Sequence, residues 1–549
     1  MLEGCVPWPA EVAADYRRRG WWERITIPQL LDRSAARHPG KTALVSGELR
    51  LSYAELVAGY RRLACGFVAM GIKPGDRVVM QLPNGPEFVF AYFALTRIGA
   101  IPVTALRAHR HSEIRHFLSA SGATAYLIPD RLGNFDYREM AREVCGERPG
   151  VAVFVVGEPG PGQHDLRAML AASLDEAEAD RRLADVRPDP SEVATMLLSG
   201  GTTSLSKLIP RTHDDYVLNA RLCGRAGGFD EATVFMAILP LGHNYNLASP
   251  GMLGCFYYGG TVVLAASGDA AEVFSLVQRE HVSAIAAVVP LISNWLNSEV
   301  PEGFDLSSLK VVQNGGARLA PELRARMRQR FGCLPQEIYG TAEGLINMVP
   351  LDAPEELLLT SSGVPVCEDD EIRVVDDDGK DIPDGEPGEL VTRGPYTIQG
   401  YYRAPEKQAE AFTPDGYYRM GDIVRKQGRH VFTEGRRKDL INRGGEKISC
   451  EEVENLIFRH PAVKAVTLVA MPDPVFGEKA CAFVITKEGA TLGFDELIGF
   501  LRGQQIASFK LPERLEVVKE FPLSPVGKIL KRTLRETIAA KMETEKAGA

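Results

Sequence analysis

The feature that most constrains the fold is an alternation of short β-rich runs with longer amphipathic stretches, repeated through residues 1–430. Thr42–Val45 and Arg77–Gln81 have the composition of strands, whereas apolar residues recur at helical spacing in Tyr53–Met70 and Pro86–Ile98. Such alternation predicts α/β layers built on parallel sheets. A chain of 549 residues is also long enough for more than one domain, at about 150 residues each.

The pattern changes twice toward the C-terminus. Glu371–Arg393 has short β runs joined by an Asp-Gly turn, which is typical of hairpins. After Gly435 the order helix, strand, strand, helix, strand predicts a compact α+β unit, and the residues after Lys541 are expected to fray. The sequence therefore predicts an α/β protein with a large N-terminal domain of layered sheets and helices, a β-rich subdomain within it, and a small α+β C-terminal domain.

Composition excludes several classes of protein. The net charge of −9 argues against a nucleic-acid binder that works through counterion release. The nine cysteines are scattered without a C-x-x-C pair, so neither a zinc site nor a disulfide framework is indicated. The N-terminus lacks the layout of a signal peptide, and the longest apolar stretch, Ala284–Ile292, is too short for a membrane span. We therefore expect a soluble cytoplasmic protein with neither nucleic acid nor membrane as partner.

A loop of small residues is the strongest chemical signal. An apolar strand runs into Ser199, Gly200, Gly201, Thr202 and Thr203, and a lysine follows at Lys207. Small residues allow the backbone to curl around an anion, their hydroxyl and amide groups donate to phosphate oxygens, and the lysine adds a point charge. The spacing is not that of a G-x-x-x-x-G-K-[ST] loop. The loop predicts a phosphate site of another kind.

Further motifs follow in a fixed order along the chain. They are Tyr339-Gly340-Thr341-Ala342-Glu343-Gly344, Gly421-Asp422, Gly435-Arg436-Arg437-Lys438-Asp439, Asn442-Arg443-Gly444-Gly445-Glu446-Lys447 and Pro525-Val526-Gly527-Lys528. Together with the phosphate loop, this set resembles the adenylate-forming superfamily of acyl-CoA synthetases, peptide-synthetase adenylation domains and luciferases. The resemblance covers nearly the whole chain.

The resemblance implies a site for ATP and Mg²⁺. Ser199–Lys207 would wrap the β- and γ-phosphates, Tyr339 would stack on adenine, and Glu343 would be the Mg²⁺-associated carboxylate. Asp422 would hold the ribose hydroxyls, with Arg436 reaching the ribose or phosphate. The remaining implied ATP-binding positions are Gly315, Gly316, Ala317, Gly340 and Thr341. Many relatives carry Thr where this chain has Ala342, so that hydroxyl contact to the α-phosphate is expected to be lost or supplied by Thr341.

The resemblance also implies a division into two domains. Residues 1–437 would bind ATP and the acid substrate, and residues 438–549 would form a mobile lid with its hinge at Lys438. Lys528 would be the catalytic lysine of the lid, while Gly444 and Gly445 would border the tunnel for a phosphopantetheine arm.

The segment from His243 to Gly251 bears on the acid substrate. Relatives that activate α-amino acids carry an Asp near this position, whereas His243-Asn244 provides no partner for an ammonium group. The H-N-Y-x-L-x-S-P-G pattern resembles stand-alone aryl-acid adenylating enzymes, the 2,3-dihydroxybenzoate- and salicylate-AMP ligases of siderophore-type pathways. So do the stretches Lys207–Tyr216 and Ala342–Asn347. Asn246 departs from this pattern, in which proline is usual.

The resemblance to these ligases implies roles in the aryl site. Asn244 would hydrogen-bond the ortho hydroxyl, Tyr245 and Ile346 would wall the ring, and His243 would contact and gate it. Ser249 favours a 3-hydroxyl on the ring, because a hydroxyl pairs with it better than a thiol does.

The expected reaction is adenylation of a 2-hydroxybenzoic acid, followed by transfer to the phosphopantetheine thiol of an aryl carrier protein. One alternative is an aryl-CoA ligase that uses free coenzyme A. A non-catalytic ligand sensor is a second, which the filled phosphate, Mg²⁺, ribose and lysine positions disfavour.

Overall fold

The computed structural model describes residues 1–199, 206–436, 439–443, 446–504, 506–524 and 527–547. Two large sheets form the N-terminal part. The strands of the first, in spatial order, are Val364–Pro365, Gly344–Met348, Leu334–Thr341, Val311–Gly315, Ala284–Ala287, Val234–Ala237, Thr261–Leu264, Thr42–Ser46 and Leu49–Ser52. Those of the second are Leu208–Thr212, Val193–Leu198, Ile101–Thr104, Arg77–Met80, Ala125–Pro129, Ala152–Val156 and His164–Asp165.

The inner strands of both sheets are parallel, and antiparallel strands are confined to the edges. Because parallel strands need crossover connections, helices separate them along the chain. One continuous apolar core contains Leu44 of the first sheet, Val78 of the second, and the helices Tyr53–Ala69 and Pro86–Arg97. The predicted α/β layers are confirmed.

Some helices begin at a residue whose side chain caps them. The Ser52 hydroxyl oxygen accepts a hydrogen bond from the backbone N–H of Glu55, the Glu55 carboxylate accepts one from the Ser52 N–H, and the helix Tyr53–Ala69 follows. The other helices of the large domain are Ala10–Arg18, Ile27–Arg37, Pro86–Arg97, His111–Ser121, Tyr137–Gly146, Leu166–Ala171, Glu176–Leu183, His213–Ala226, Asn244–Ala248, Gly251–Tyr257, Ala270–Glu280, Val289–Leu296, Pro321–Phe331, Glu355–Thr360 and Gln408–Ala411. Within the described residues, no helix combines the length and the apolarity that crossing a bilayer requires.

A separate antiparallel sheet confirms the β-rich subdomain. Its strands, in spatial order, are Glu371–Val375, Gly388–Arg393, Tyr418–Gln427 and His430–Arg436. The last two form a hairpin that pairs Asp422 directly with Arg436.

The C-terminal unit has its own sheet and its own apolar core. Its strands are Ile441–Arg443, Glu446–Ile448, Val463–Asp473, Gly477–Thr486 and Arg514–Val517, and its helices are Cys450–Phe458, Phe494–Gly503 and Lys531–Ala547. It contacts the large domain through ion pairs, Arg318 with Glu451 at 3.3 Å and Arg459 with Glu322 at 2.7 Å.

The expectation of a frayed tail after Lys541 is wrong. The last helix continues to Ala547 because it is held along its length. Leu534 and Ile538, at helical spacing, are buried against the sheet. Glu545 accepts two hydrogen bonds, of 2.8 and 2.7 Å, from Arg514 of the neighbouring strand.

Candidate active site

The phosphate loop is closed at its base by two hydrogen bonds. The Ser199 N–H donates to the Lys207 carbonyl at 3.0 Å, and the Lys207 N–H donates to Ser199 Oγ at 2.8 Å. These contacts extend the antiparallel pairing of Val193–Leu198 with Leu208–Thr212. Gly200, Gly201, Thr202 and Thr203 lie outside the described residues, as do Lys438, Gly444 and Gly445.

Lys207 and Glu343 approach each other across an aromatic ring. Lys207 Nζ lies 3.9 Å from the centroid of the Tyr401 ring, and the Tyr401 hydroxyl donates to Glu343 Oε1 at 2.8 Å. Burial lowers the pKa of Lys207, an effect that the Glu343 carboxylate opposes. The structure thus brings the predicted phosphate lysine and the predicted Mg²⁺ carboxylate together.

Glu343 is suited to a metal that is shared with a nucleotide. Its carboxylate is buried, and Tyr401 fixes one of its oxygens. Within the described residues, no group of three or more His, Cys, Asp or Glu side chains forms a cage for a metal. Mg²⁺ commonly binds through one or two carboxylates together with substrate phosphates, which a single buried glutamate fits.

Asp422, Arg436 and Tyr339 form a second cluster. Arg436 Nε lies 2.9 Å from Asp422 Oδ1, and the Tyr339 hydroxyl donates to Asp422 Oδ2 at 2.8 Å. The Asp422 carboxylate raises the pKa of Arg436, so this guanidinium keeps its charge. The predicted adenine and ribose residues therefore meet at one point, on the strands Leu334–Thr341 and Tyr418–Gln427.

Glycines allow the backbone to approach closely in this region. A Cβ on Gly315 would lie 2.9 Å from the Tyr245 ring, and one on Gly340 would lie 2.3 Å from the Leu345 carbonyl oxygen. Gly316 has φ +82°, a left-handed conformation that favours glycine. Ala317 follows it and accepts from the Asn314 side chain at 2.7 Å. The Thr341 hydroxyl donates to the Gly344 carbonyl at 2.9 Å.

His243 belongs to the large domain and Lys528 to the small one, yet the charge of Lys528 acts on the imidazole. Burial, with a smaller contribution from the positive charge of Lys528, lowers the pKa of His243 to about 4. The imidazole is therefore neutral at pH 7, and its Nδ1 accepts the Tyr245 N–H at 3.3 Å. A Cβ on Gly527 would lie 3.3 Å from Val288, so the turn that carries Lys528 is close to the large domain.

The predicted aryl-acid residues are buried together. Asn244 Nδ2 donates to Ser249 Oγ at 3.2 Å, while Asn244 Oδ1 accepts from the Tyr216 hydroxyl at 2.9 Å. Tyr245 packs on Gly315, and Ile346 packs on Gly340. Asn246, the departure from the usual proline, is used internally, because its Nδ2 donates to the Leu239 carbonyl at 2.7 Å.

Sequence reasoning did not single out several residues that position this site. Tyr401 fixes Glu343, and the buried Arg211 donates to the Ala342 and Tyr396 carbonyls at 2.8 and 3.1 Å. Arg211 lies inside the stretch Lys207–Tyr216, which carried part of the family resemblance. The family resemblance therefore included this segment, but the contacts of Arg211 with distant carbonyls depend on tertiary packing, which no local sequence pattern reveals.

A buried carboxylate supports the strand that carries Ile346. Asp370 Oδ2 accepts from the Tyr396 hydroxyl at 2.5 Å, and that hydroxyl oxygen accepts the Ile346 N–H at 3.1 Å. Burial raises the pKa of Asp370 to about 7, although the Tyr396 hydrogen bond opposes the rise.

Asp370→Asn is expected to flatten the pH dependence of stability. The folded protein holds the Asp370 proton up to about pH 7, whereas an unfolded aspartate releases it near pH 4. Between these values the folded state binds more protons, so the Asp370 contribution to the free energy of unfolding falls as pH rises, by at most about 1.4 kcal/mol per pH unit. Urea unfolding of the wild-type protein and of Asp370→Asn at pH 5, 6 and 7, followed by tryptophan fluorescence, measures this dependence. If the free energies of unfolding of the two proteins changed equally with pH, the prediction would be wrong.

The structure has a large N-terminal domain and a smaller C-terminal domain, and the residues predicted to bind phosphate, Mg²⁺ and ribose lie in two clusters of the large domain. Comparisons with known families agree. Residues 31–402 match the AMP-binding enzyme family, and residues 452–528 match the AMP-binding enzyme C-terminal domain. The chain belongs to the AMP-binding enzymes, a family of ATP-using, adenylate-forming ligases.

Individual relatives are similar over their full length. The chain is 45% identical over 543 residues to the 2,3-dihydroxybenzoate-AMP ligase of Bacillus subtilis (strain 168), covering 99% of both proteins. It is also 45% identical over 550 residues to a salicylyl-CoA synthase / salicylate adenylyltransferase of Streptomyces sp, again covering 99% of both. Among solved structures, the Mycobacterium smegmatis MbtA apo structure is 36% identical, with a TM-score of 0.74, covering 97% of this chain and 98% of that one.

Proposed function

We propose that this enzyme activates a 2-hydroxybenzoic acid with ATP and passes the aryl group to the phosphopantetheine thiol of an aryl carrier protein. The observation that carries the proposal is the buried hydrogen bond from Asn244 Nδ2 to Ser249 Oγ, 3.2 Å long. An amide and a hydroxyl suit ring hydroxyl groups, whereas a substrate ammonium would need a carboxylate. The names of the relatives from Bacillus subtilis and Streptomyces support the same substrate class.

The first half-reaction needs no general base. The aryl carboxylate is already ionised at pH 7, so its oxygen attacks the α-phosphorus of ATP; a P–O bond forms and the bond to pyrophosphate breaks. Catalysis then depends on positioning and on neutralising charge. Lys528 stabilises charge on the α-phosphate and the leaving group, Lys207 faces the outer phosphates, and Asp422 with Arg436 holds the ribose. Mg²⁺ held by Glu343 and the phosphates would supply further neutralisation.

The second half-reaction is proposed to use the same site with the lid turned. The pantetheine thiol attacks the acyl carbon of the aryl-adenylate, a thioester forms and AMP leaves. In this proposal residues 438–549 rotate about Lys438 after adenylation, and Gly444 and Gly445 then border the thiol's tunnel. The ion pair of Arg459 with Glu322 between the domains is partly exposed on both sides, so breaking it costs little, which supports such a rotation.

The nine cysteines, all within the described ranges, are free thiols. These free thiols, together with the use of ATP, support the proposal that the enzyme acts in the cytoplasm, where thiols are kept reduced.

The ring substituents are tested by ATP–pyrophosphate exchange with benzoate, salicylate, methylsalicylates, 2,3-dihydroxybenzoate and anthranilate. We expect 2-hydroxybenzoates to be preferred and 2,3-dihydroxybenzoate to exceed salicylate by roughly 5- to 150-fold in kcat/KM, as a buried hydrogen bond to Ser249 would give. Ser249→Cys is expected to move this ratio toward salicylate, because a thiol is a weak donor. If the wild-type enzyme preferred salicylate, Ser249 would not be the residue that selects between these two acids.

The second candidate function is that of an aryl-CoA ligase. The name of the Streptomyces relative, which includes a CoA synthase and an adenylyltransferase, supports testing it. Competition between free coenzyme A and a phosphopantetheinylated aryl carrier protein for the aryl-adenylate distinguishes the two. We expect the carrier protein to be the better acceptor. Aryl-dependent exchange in the same assay would exclude a non-catalytic sensor.

A further inference from the structure

A polar layer lies behind the aryl-acid residues, on one face of the helix His213–Ala226. Tyr216 and Asn219 are three residues apart and therefore project from the same side of the helix. Both side chains are completely buried. Neither was singled out as a site residue from the sequence, and neither has a part in the proposed reaction steps.

Each of these residues donates to one aryl-site residue. The Tyr216 hydroxyl donates to Asn244 Oδ1 at 2.9 Å. Asn219 Nδ2 donates to the Ala248 carbonyl at 2.7 Å and to Ser249 Oγ at 3.1 Å. The Ala248 carbonyl can only accept, so it fixes which end of the Asn219 amide faces Ser249.

These contacts give the hydrogen bonds a single direction. Tyr216 donates to Asn244, and Asn244 Nδ2 donates in turn to Ser249 Oγ at 3.2 Å. If the Asn244 amide were reversed, its N–H would donate to the Tyr216 oxygen, and the buried phenolic proton would lose the acceptor that Asn244 Oδ1 provides. Tyr216 therefore holds Asn244 with one Oδ1 lone pair and one N–H remaining for a ligand.

Ser249 is left with one role. Its oxygen has two lone pairs, and these accept from Asn219 and Asn244. What remains is its proton, which lies within hydrogen-bonding reach of the Cys223 sulfur. Sulfur is a weak acceptor, so a ligand oxygen can replace it and Ser249 then acts toward the ligand as a donor. A substituent that it recognises must therefore present an acceptor, as the oxygen of a ring hydroxyl does.

From this arrangement we infer that Tyr216 and Asn219 are specificity-determining positioning residues, which set the donor and acceptor directions of Asn244 and Ser249 and thereby select ring hydroxyl groups. The inference rests on the proposed function, because it concerns how that site distinguishes aryl acids. Burying an amide and a phenol is costly unless their bonds are made, and the Asn219 oxygen has no partner among the described residues. Packing alone would be served better by apolar side chains at both positions.

Tyr216→Phe tests the first part, since it removes one hydroxyl and keeps the ring. We expect kcat/KM in ATP–pyrophosphate exchange to fall about 3- to 10-fold for salicylate, mainly through KM, and to change little for benzoate, which has no ring hydroxyl. In an Asn244→Ala background the same change should have no selective effect, because its target amide is gone. Val217→Ala, a buried neighbour on the same helix, is the matched control and should not alter the salicylate-to-benzoate ratio.

Asn219→Leu tests the second part with a similar volume. We expect the kcat/KM ratio of 2,3-dihydroxybenzoate to salicylate to fall about 3-fold or more, because Ser249 regains a lone pair and is no longer held as a donor. Equal losses for all acids in both variants, or a Tyr216→Phe effect that persists undiminished without Asn244, would overturn the inference. Failure of the proposed function is distinguishable, since the wild-type enzyme would then show no preference for hydroxybenzoates before any variant is compared.

Discussion

Lys528→Ala is expected to depress aryl-dependent ATP–pyrophosphate exchange by about 10²-fold or more, as the loss of roughly 3 kcal/mol of transition-state stabilisation would. The reason is position: a Cβ on Gly527, next to Lys528, would lie 3.3 Å from Val288, so the turn that carries this positive charge is close to the large domain. Thioester formation from supplied aryl-adenylate should be much less affected, because the lid is proposed to have turned Lys528 away by then. Exchange and single-turnover thioester assays measure the two half-reactions.

Two further variants make this result interpretable. Lys541→Ala removes a lysine of the same domain that pairs with Glu516 at 2.7 Å, so it should leave both half-reactions unchanged. Lys438→Pro fixes φ at the proposed hinge and should spare adenylation while blocking transfer. Equal loss in both half-reactions on Lys528→Ala would refute the assignment of Lys528 to the first step alone.

Much of the fold could be predicted because its patterns are local. Alternation of strands and amphipathic helices, the Asp-Gly turn after Val375 and the helix–strand order after Gly435 each depend on neighbouring residues. The tail was the exception. Its helix is stabilised by Glu545 pairing with Arg514, 31 residues earlier in the chain, and a contact of that kind has no local signature.

The site residues likewise fall into those that short motifs reveal and those that only tertiary packing reveals. Asp422, Glu343 and Lys528 stand in short motifs that a family resemblance can place by number. Tyr401 and Arg211 act through contacts with residues 58 and 131 positions away. Their roles follow from how two sheets and the β-rich subdomain pack, and that packing is a tertiary property.

The ion pair of Arg211 with Asp215 is expected to be the most sensitive of these tertiary contacts. Both side chains are 0% exposed, and Arg211 Nε lies 2.7 Å from Asp215 Oδ1. Asp215→Ala leaves a buried guanidinium without its counter-charge, which typically costs about 3–5 kcal/mol. Urea unfolding followed by tryptophan fluorescence measures this loss in the large domain, where all four tryptophans lie.

The adjacent aspartate is a matched control. Asp214 pairs at 2.9 Å with Arg24, whose side chain is 38% exposed and can return to water when the partner is lost. Asp214→Ala should therefore cost about 1 kcal/mol or less. If Asp214→Ala and Asp215→Ala lowered the free energy of unfolding by similar amounts, burial of the arginine partner would not explain the sensitivity of the Arg211–Asp215 pair.

The double variant Arg211→Met with Asp215→Leu separates stability from positioning. Replacing both members of a buried pair by apolar residues of similar size is often neutral or stabilising, so the double variant should unfold with a higher free energy than Asp215→Ala. It should stay below the wild-type value, because the Thr212 N–H and hydroxyl lose Asp215 as their acceptor. Exchange activity should remain depressed, because the carbonyls of Ala342, beside Glu343, and of Tyr396 lose the donors that hold them. Recovery of both stability and exchange would instead mean that Arg211 supports the fold without positioning the site.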